Sequence, residues 1–384
     1  MSSSLMVVPT AAFGFNLLRQ EIQAKPGENV WVSPLSVSLA LGMAALGARD
    51  ETRRQMLNVL GVPASSDWHL NYAQLAKLKD TEDMDVQLTL ANGLWAQEGC
   101  ELERSFLDMS QRYFEATVRA VDFANPTTMN EINEWVERRT MGKIRAILDT
   151  LDPAQAVCLL NAIYFKGGWS NRFDRTRTKV ERFHLERGET KNHPLMCRQG
   201  DMRYVQMAEG QLVALPFGLT EGINLYVFLP TQSLTRRGAR SPVSTLDDGQ
   251  FFEACQKLCE SEGRLWLPRF GLDYKNDLQG SLMRLGMRDA FVSSADFTGI
   301  GRCEPPLYLS GVVHRATAKF DEEGGEAAAA TVVSLRFLGS RHAPEEPWEM
   351  RVDRPFLAVI MDDPTQTMLF AGVVMNPEDP GPPA

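Results

Sequence analysis

The stretch KFDEEGGEAAAATVV, residues 319–333, contains local preferences that contradict one another. Its four alanines favour a helix, the β-branched residues from Thr331 to Val333 favour a strand, and the two glycines before them loosen the backbone. Such a conflict is typical of a functional or strained site, although a short helix that leads into a strand explains it equally well. The rest of the chain decides between these interpretations.

The composition indicates an ordinary globular protein with a large core, since 44% of the 384 residues are hydrophobic and 23% are charged. No Pro-, Gly- or Ser-rich linker divides the chain, so one unit of two or more packed layers is expected. The net charge of −9 gives no reason to expect a nucleic-acid partner. The absence of any window of about eighteen apolar residues argues against a membrane partner.

The six cysteines are expected to be free thiols, because they show neither the close pairs of a zinc site nor the density of a disulfide framework. Cys255 and Cys259 lie one helical turn apart and can share a helix face. Burial explains that pair better than metal or redox chemistry, so no metal and no cofactor is predicted. The cysteines are Cys100, Cys158, Cys197, Cys255, Cys259 and Cys303.

Helical patterns dominate the first half of the chain. Ser33 can cap a helix that begins at Pro34, and the nearly continuous apolar residues to Leu46 predict a helix buried on most sides. Thr128 and Glu131 are spaced as in a capping box. Further helices are predicted over 11–23, 65–80 and 102–116, with a strand over 85–97 between them.

From about residue 156 onward the hydrophobic period shifts toward two, and short apolar runs are bounded by Gly, Pro and Asn. One more helix is predicted near 276–286, and the C-terminal segment reads as two buried strands joined by a turn at 362–365. This mixture predicts an α+β fold in which helices cover several sheets.

Enzyme signatures are absent: there is no zinc-protease motif, no phosphate-binding loop, no nucleophile elbow and no dinucleotide fingerprint. His314 lies in an apolar strand-like run, where a hydrogen-bonded core histidine is the better explanation than a catalyst. No enzymatic activity is therefore expected.

Six separated motifs, in the right order, resemble the serpin family over essentially the whole chain. The family resemblance is carried by NVWVSPLSVSLAL (29–41), INEWVERRTMGKI (132–144), LLNAIYFKGGW (159–169), LPRFGLDYKNDLQGSLMRLGM (267–287), SGVVHRATAKFDEEGGEAAAAT (310–331) and DRPFLAVIMDDPTQTMLFAGVVMNP (353–377). The resemblance implies one domain over 1–378 with a short tail over 379–384. It also implies three β-sheets, eight or nine helices, a metastable native state and an exposed reactive-centre loop over about 322–352.

The resemblance further implies suicide inhibition of a serine protease, or sometimes a cysteine protease, by a monomer that forms a covalent 1:1 complex. The protease attacks the loop and forms an acyl-enzyme, and the cut loop then inserts into the central sheet as a new strand. Small side chains and the absence of proline from 319 to 343 suit such a segment. About a dozen new hydrogen bonds at about 0.5–1.5 kcal/mol each would release on the order of 10 kcal/mol.

By position, the resemblance assigns three sets of residues. Gly325 departs from the family pattern, which usually has Thr or Ser there, and insertion is still expected because glycine blocks nothing. The polar cluster beneath the sheet and the aromatic residue at its top are latch residues rather than catalysts. The hinge is Glu322, Gly324, Gly325, Ala327, Ala328, Ala329 and Ala330; the cluster is Ser33, Ser36, Asn161 and His314; the aromatic residue is Trp169.

Counting from the hinge predicts the reactive bond at Leu338–Gly339, which suits a chymotrypsin-like pocket. Counting back from the C-terminal motif gives a later position, and Arg341 or Arg336 would suit a trypsin-like enzyme. A non-inhibitory serpin acting as a carrier, chaperone or storage protein is the alternative, although the hinge lacks the bulky, charged or proline residues typical of that group.

The compartment stays open at this point. The first residues, MSSSLMVVP, lack the basic start of a signal peptide, so a cytoplasmic protein is favoured if this N-terminus is the native one. The family resemblance favours an extracellular protein.

Overall fold

A computed structural model describes residues 10–383 apart from 66, 81, 82, 84, 187, 221, 232–245 and 325–345. Of the predicted hinge, only Glu322 and Gly324 are among the described residues. Gly325, the four alanines from Ala327 to Ala330 and the candidate bonds at Arg336, Leu338–Gly339 and Arg341 lie outside them.

The described residues form eight α-helices and sixteen strands. No helix among them is long and apolar enough to cross a membrane. The helices are α1 (Thr10–Ala24), α2 (Pro34–Gly47), α3 (Asp50–Leu60), α4 (His69–Ala76), α5 (Arg104–Phe114), α6 (Thr128–Arg139), α7 (Asp248–Lys257) and α8 (Gln279–Leu285).

The strands concentrate in the second half of the chain, as the sequence predicts. They are β1 (Val30–Val32), β2 (Val86–Gln97), β3 (Glu101–Leu102), β4 (Thr117–Val121), β5 (Val157–Gly167), β6 (Lys179–His184), β7 (Thr190–Gln206), β8 (Gly210–Phe217), β9 (Ile223–Pro230), β10 (Cys259–Pro268), β11 (Phe270–Asp277), β12 (Gly301–Arg302), β13 (Leu309–Phe320), β14 (Trp348–Arg351), β15 (Phe356–Asp362) and β16 (Thr367–Val374).

These strands form three sheets among the described residues, and the α+β fold class is confirmed. A nine-stranded sheet has the order β1-β16-β15-β9-β8-β7-β10-β14, with β6 paired to β7. A five-stranded sheet has the order β11-β13-β5-β2-β4, and a small sheet pairs β12 with β3. The five-stranded sheet, called the central sheet below, carries the predicted site residues.

Helix α2 connects the two large sheets and begins as predicted. The Ser33 side chain accepts a hydrogen bond from the backbone N–H of Ser36, and Pro34 occupies the first helical position. Nearly every residue of α2 is buried, and the helix packs against β2 and β5 of the central sheet. The predicted cap of α6 is wrong by one residue: Thr127 precedes the helix, and its hydroxyl donates to Glu131 Oε1 at 3.0 Å.

Two expectations about the cysteines are corrected. Cys100 and Cys303 form a disulfide that joins segments 203 residues apart, next to the small β3–β12 sheet. Cys255 and Cys259 do not share a helix face, because α7 ends at Lys257 and Cys259 begins β10.

Candidate functional site

The centre of the site is the contact between β5 and β13, two parallel neighbouring strands in the central sheet. They pair from Val157 and Leu309 at one end to Phe165 and Ala318 at the other. This contact is called the seam. Antiparallel strands flank it on both sides, β2 next to β5 and β11 next to β13. Two parallel strands whose outer edges are already paired leave room for a third strand only if they separate.

A buried polar cluster holds the middle of the seam, and it brings together four of the residues predicted from the sequence. Asn161 on β5 and His314 on β13 are opposite each other, and His314 Nδ1 lies 2.6 Å from Asn161 Oδ1. Ser36 Oγ donates to the same Asn161 oxygen at 2.6 Å, and the Ser33 N–H donates to His314 Nε2 at 3.1 Å. This cluster is called the latch, and these four members are fully buried.

The hydrogen bonds of the latch define the tautomer of His314. Because Nε2 accepts from the Ser33 backbone, Nδ1 carries the proton and donates to Asn161. Complete burial lowers the pKa of His314 to about 3, so the neutral form is the one that the fold accepts. The latch is therefore a neutral network without catalytic groups in a reactive arrangement.

Two latch contacts were not found from the sequence. Asn92 on β2 accepts a hydrogen bond from Asn161 Nδ2, which extends the latch to a third strand. Ser33 Oγ donates to the carbonyl of Leu369 on β16 at 2.6 Å, which connects the latch to the other large sheet. The sequence offered one local signal for Asn92, namely its position inside a predicted strand. A polar residue on a buried strand needs a hydrogen-bond partner.

The end of the seam near Gly167 is closed by a turn that follows β13. The backbones of Asp321 and Gly324 exchange hydrogen bonds at 2.9 and 3.2 Å. Gly324 forms an antiparallel bridge to Gly168, directly after β5. The beginning of the predicted hinge thus lies against the end of β5, where it already runs antiparallel to that strand.

Trp169, which the family resemblance assigned apart from the polar cluster, lies at this end of the seam. Its indole Nε1 donates to the Asp321 carbonyl at 2.8 Å, and its backbone N–H donates to the Glu323 carbonyl at 2.9 Å. The ring stacks on Phe217 with 4.6 Å between ring centroids and lies 6.1 Å from Phe320. An aromatic cluster therefore covers this end of the seam.

Gly324 is required by its conformation and its surroundings. Its φ of +111° is a value that other L-residues rarely adopt. A Cβ atom there would lie 2.2 Å from the Gly167 carbonyl oxygen. The close approach of the two backbones at the bridge needs a glycine.

Glu322 anchors the turn through a buried ion pair. Its side chain is 1% exposed and lies 2.6 Å from Arg269 Nη2, while the Thr178 hydroxyl donates to the same carboxylate at 2.7 Å. Burial alone would raise the pKa of Glu322, but the bonds from Arg269 and Thr178 outweigh it and hold the pKa below its ordinary value. The charged carboxylate therefore fixes the start of the hinge to the body of the protein.

A family model described as Serpin (serine protease inhibitor) matches residues 9–377 of this chain. An uncharacterized serpin-like protein of Thermococcus kodakarensis is 34% identical over 96% of this chain and 85% of its own length. Serpin B6 of Macaca fascicularis is 32% identical over 95% of this chain and 97% of its own. Corticosteroid-binding globulin of Oryctolagus cuniculus is 31% identical over 95% and 94%.

Solved structures give the same result for the fold. The native state of tengpin, a thermophilic serpin, superposes with a TM-score of 0.86 at 27% identity and covers 98% of this chain and 95% of its own. Human thyroxine-binding globulin also gives a TM-score of 0.86, at 25% identity, over 97% of this chain and 99% of its own.

Proposed function

This chain belongs to the serpin family, and we propose that it is a protease inhibitor that traps a serine protease as an acyl-enzyme while its cut reactive-centre loop inserts into the seam. The matching family model describes serine protease inhibitors. The target class and the mechanism proposed here go beyond that description. The observation that carries the proposal is the turn at 321–324, which starts an antiparallel strand at the end of a seam that is still closed.

The two bridges of Gly324 give the register that an inserted strand would continue. Paired with Gly168 on one side and Asp321 on the other, the chain would bring Ala327 level with Phe165 and Ala318. Phe165 and Ala318 are already opposite each other across the seam. The two registers agree, which supports insertion without any shift of β5 along β13.

The same register brings Thr331 level with Asn161 and His314 of the latch. Residues at alternate positions would then face the buried side of the sheet, because side chains of a strand alternate between faces. These positions are Gly325, Ala327, Ala329, Thr331, Val333 and Leu335, which are small near the aromatic cluster and, apart from the Thr331 hydroxyl level with the latch, carry no polar group. Such a pattern suits a strand that enters a packed core.

The solvent-facing positions also fit this register. Glu326 would lie between Lys166 and Lys319, so its charge meets two of opposite sign. The inserted form would be the more stable state, and the seam with its latch would keep the uninserted form kinetically trapped.

We propose Leu338–Gly339 as the reactive bond, since the distance from the hinge is limited by the length of the sheet. Leu338 with Phe337 before it suits the apolar pocket of a chymotrypsin-like protease. Arg341 and Arg336 remain the alternatives, and cleavage at either would make a trypsin-like enzyme the target. The partner is one protease molecule per inhibitor monomer.

A non-inhibitory carrier is the second candidate, because the chain resembles corticosteroid-binding globulin and thyroxine-binding globulin over nearly its whole length. The small hinge residues favour the inhibitor. A segment that must enter a packed sheet needs small side chains, whereas a loop that stays in solvent has no such requirement.

The test is to mix the protein with chymotrypsin and, separately, with trypsin. Denaturing gels would reveal a covalent complex, and mass spectrometry would identify the released C-terminal peptide. A complex with chymotrypsin and a peptide that begins at Gly339 are expected. Cleavage without a complex and without a gain in thermal stability would contradict inhibition and favour the carrier.

A further inference from the structure

The Cys100–Cys303 disulfide connects the two sides of the seam at the end where β5 and β13 begin, called the far end below. Cys100 comes shortly after β2, which ends at Gln97, and the Gln97 N–H donates to the Ala156 carbonyl just before β5 at 3.0 Å. Cys303 comes shortly before β13, which begins at Leu309. Since β2 and β5 lie on one side of the seam and β13 on the other, the bond links the two sides covalently.

Widening the seam separates the central sheet into two halves. β2 and β5 stay paired through their antiparallel ladder, and so do β13 and β11. A strand inserted between β5 and β13 would move the two halves apart by one strand spacing, about 4.8 Å. The crosslinked far end has to accommodate this movement.

The disulfide itself cannot lengthen by that amount. The Cα atoms of Cys100 and Cys303 are 4.5 Å apart, and a disulfide limits this distance to about 6.8 Å. The remaining distance must come from the segments 98–99 and 304–308, which connect the two cysteines to β2 and β13.

Both connecting segments resist extension. The Glu98 N–H donates to the Val121 carbonyl of β4 at 2.8 Å, so the first segment is tied to the central sheet. Pro305 and Pro306 restrict the backbone of the second segment, and its Leu307 side chain is buried in the core. Widening the far end while the bond is intact must therefore disturb the packing of Leu307.

Without the bond, hydrogen bonds between short segments hold the same end. β3 and β12 pair through two residues each, and the Glu103 N–H donates to the Ile300 carbonyl at 2.9 Å. A two-stranded pair is only marginally stable by itself, so β3 and β12 can separate once no covalent link holds them together. The far end can then widen while Leu307 stays packed.

A dithiol can reach this bond from solvent. Both cysteines line an open groove of about 940 Å³ and are only partly buried. A thiolate of the dithiol would attack one sulfur atom to give a mixed disulfide, which its second thiolate would then displace. Cys100 and Cys303 gain two electrons and two protons and become thiols, while the dithiol becomes a disulfide.

We propose that the Cys100–Cys303 disulfide is a redox-controlled lock on the seam. In the oxidised protein the lock keeps the far end closed and slows the entry of a strand, and reduction by a dithiol releases that end. The link to strand entry rests on the proposed function, whereas closure of the far end can be measured without any insertion. The lock would be closed in an oxidising compartment and open in a reducing one.

Hydrogen exchange of the intact protein, with and without dithiothreitol, tests closure of the far end. Reduction is expected to accelerate exchange of residues 157–160 and 309–312 about tenfold more than exchange of 164–167, at the Trp169 end, equivalent to about 1.4 kcal/mol. Cys100→Ser combined with Cys303→Ser should behave like the reduced protein and should not respond to dithiothreitol. Cys259→Ser, at the exposed free thiol, should respond like wild type.

A second control separates the lock from a general loss of stability. Phe251→Ala removes a fully buried ring of α7, away from the seam, and lowers the unfolding free energy. It should accelerate exchange at both ends of the seam alike. Equal acceleration at both ends in the reduced protein, or no acceleration at the far end, would overturn the lock.

A peptide with the sequence of residues 325–335 tests the link to strand entry. Native gels are expected to show that it associates about tenfold faster with reduced than with oxidised protein, and that Phe251→Ala does not accelerate it. Equal association rates for both redox forms would overturn the lock as a control on entry. Faster exchange at the far end without peptide association in either form would contradict the proposed function and support redox control of the closed seam alone.

Discussion

His314 connects the protonation state of a single residue to the closure of the seam. Its folded pKa of about 3 lies below the ordinary value of 6.5, so the unfolded chain binds a proton that the folded chain excludes between these values. The stability that neutral His314 contributes is complete above about pH 6.5 and is lost as the pH falls toward 3.

We expect wild-type protein to lose about 2 kcal/mol more unfolding free energy than His314→Asn between pH 6.5 and pH 5, since one pKa unit corresponds to about 1.4 kcal/mol. Urea titrations of the first unfolding transition at several pH values measure the difference. His184→Asn is the control, because His184 is exposed and does not contact the latch. Parallel pH profiles for wild type and His314→Asn would show that the latch does not exclude the proton.

Arg269 is expected to contribute far more to the unfolding free energy than Arg175, the exposed arginine at the same turn. Arg269→Met would leave the carboxylate of Glu322 buried without its cation, at a cost of about 3–5 kcal/mol. Arg175 pairs with Glu323 at the surface, and Arg175→Met should cost less than about 1 kcal/mol. Equal losses in urea unfolding would argue against burial as the cause. Adding Glu322→Gln to Arg269→Met should restore part of the loss.

At the scale of the elements, the aromatic cluster at the end of the seam limits which side chains position 325 of the hinge can have if it is to insert. In the inserted register Gly325 would lie level with Gly167 and Phe320 on the buried face. A Cβ atom on Gly167 would already lie 2.8 Å from the Phe217 ring, so little space is left there. A charged side chain at 325 would have to be buried among aromatic rings.

Gly325→Arg is therefore expected to convert the inhibitor into a substrate, with at least about a tenfold rise in the moles of inhibitor consumed per mole of protease, because slow insertion lets water resolve the acyl-enzyme. Gly325→Ser, a small polar replacement, should keep the wild-type value. Titration of residual protease activity gives both numbers. An unchanged value for Gly325→Arg would mean that position 325 does not enter the sheet.

The disulfide belongs to the same scale, since it ties the segment after β2 to the segment before β13. Replacing Cys100 and Cys303 with serine should lower the unfolding free energy by about 2–5 kcal/mol, because the unfolded chain regains the freedom of a very long loop. Urea unfolding measures this, and dithiothreitol should have the same effect on the wild-type protein. Cys259→Ser, at an exposed free thiol, should change little. A double variant as stable as wild type would show that the β3–β12 contacts hold these segments without the bond.

For the whole molecule, the sequence was sufficient where burial repeats with the period of an element. The cap at Ser33, the buried strands β15 and β16 and their turn follow from local patterns. The ends of elements were less predictable: a helix predicted over 65–80 is regular only over His69–Ala76, with a short 3-10 turn after it.

Pairings across the fold could not be derived from local patterns. Nothing in the spacing of Cys100 and Cys303 signals a bond across 203 residues. In the same way, the residues next to Arg269 and Glu322 in the sequence do not indicate that these two side chains form an ion pair. Ser33, Ser36, Asn161 and His314 were identified together by family resemblance, and the structure supplies their geometry. Asn92 entered the latch only through its contact with Asn161.

At this largest scale, insertion as proposed requires that the native molecule, whose seam is closed, be less stable than the same chain with a strand inserted. A synthetic peptide with the sequence of residues 325–335, GEAAAATVVSL, should occupy the seam of the intact protein. About ten new backbone hydrogen bonds at about 0.5–1.5 kcal/mol each would stabilise the complex by on the order of 10 kcal/mol. The expected result is a rise in melting temperature together with loss of inhibition, because the protein's own loop can no longer enter. A peptide with arginine at the position of Ala329 is the control, since that residue would face the core. Stabilisation by the control peptide, or stabilisation by GEAAAATVVSL without loss of inhibition, would show that binding occurs outside the seam.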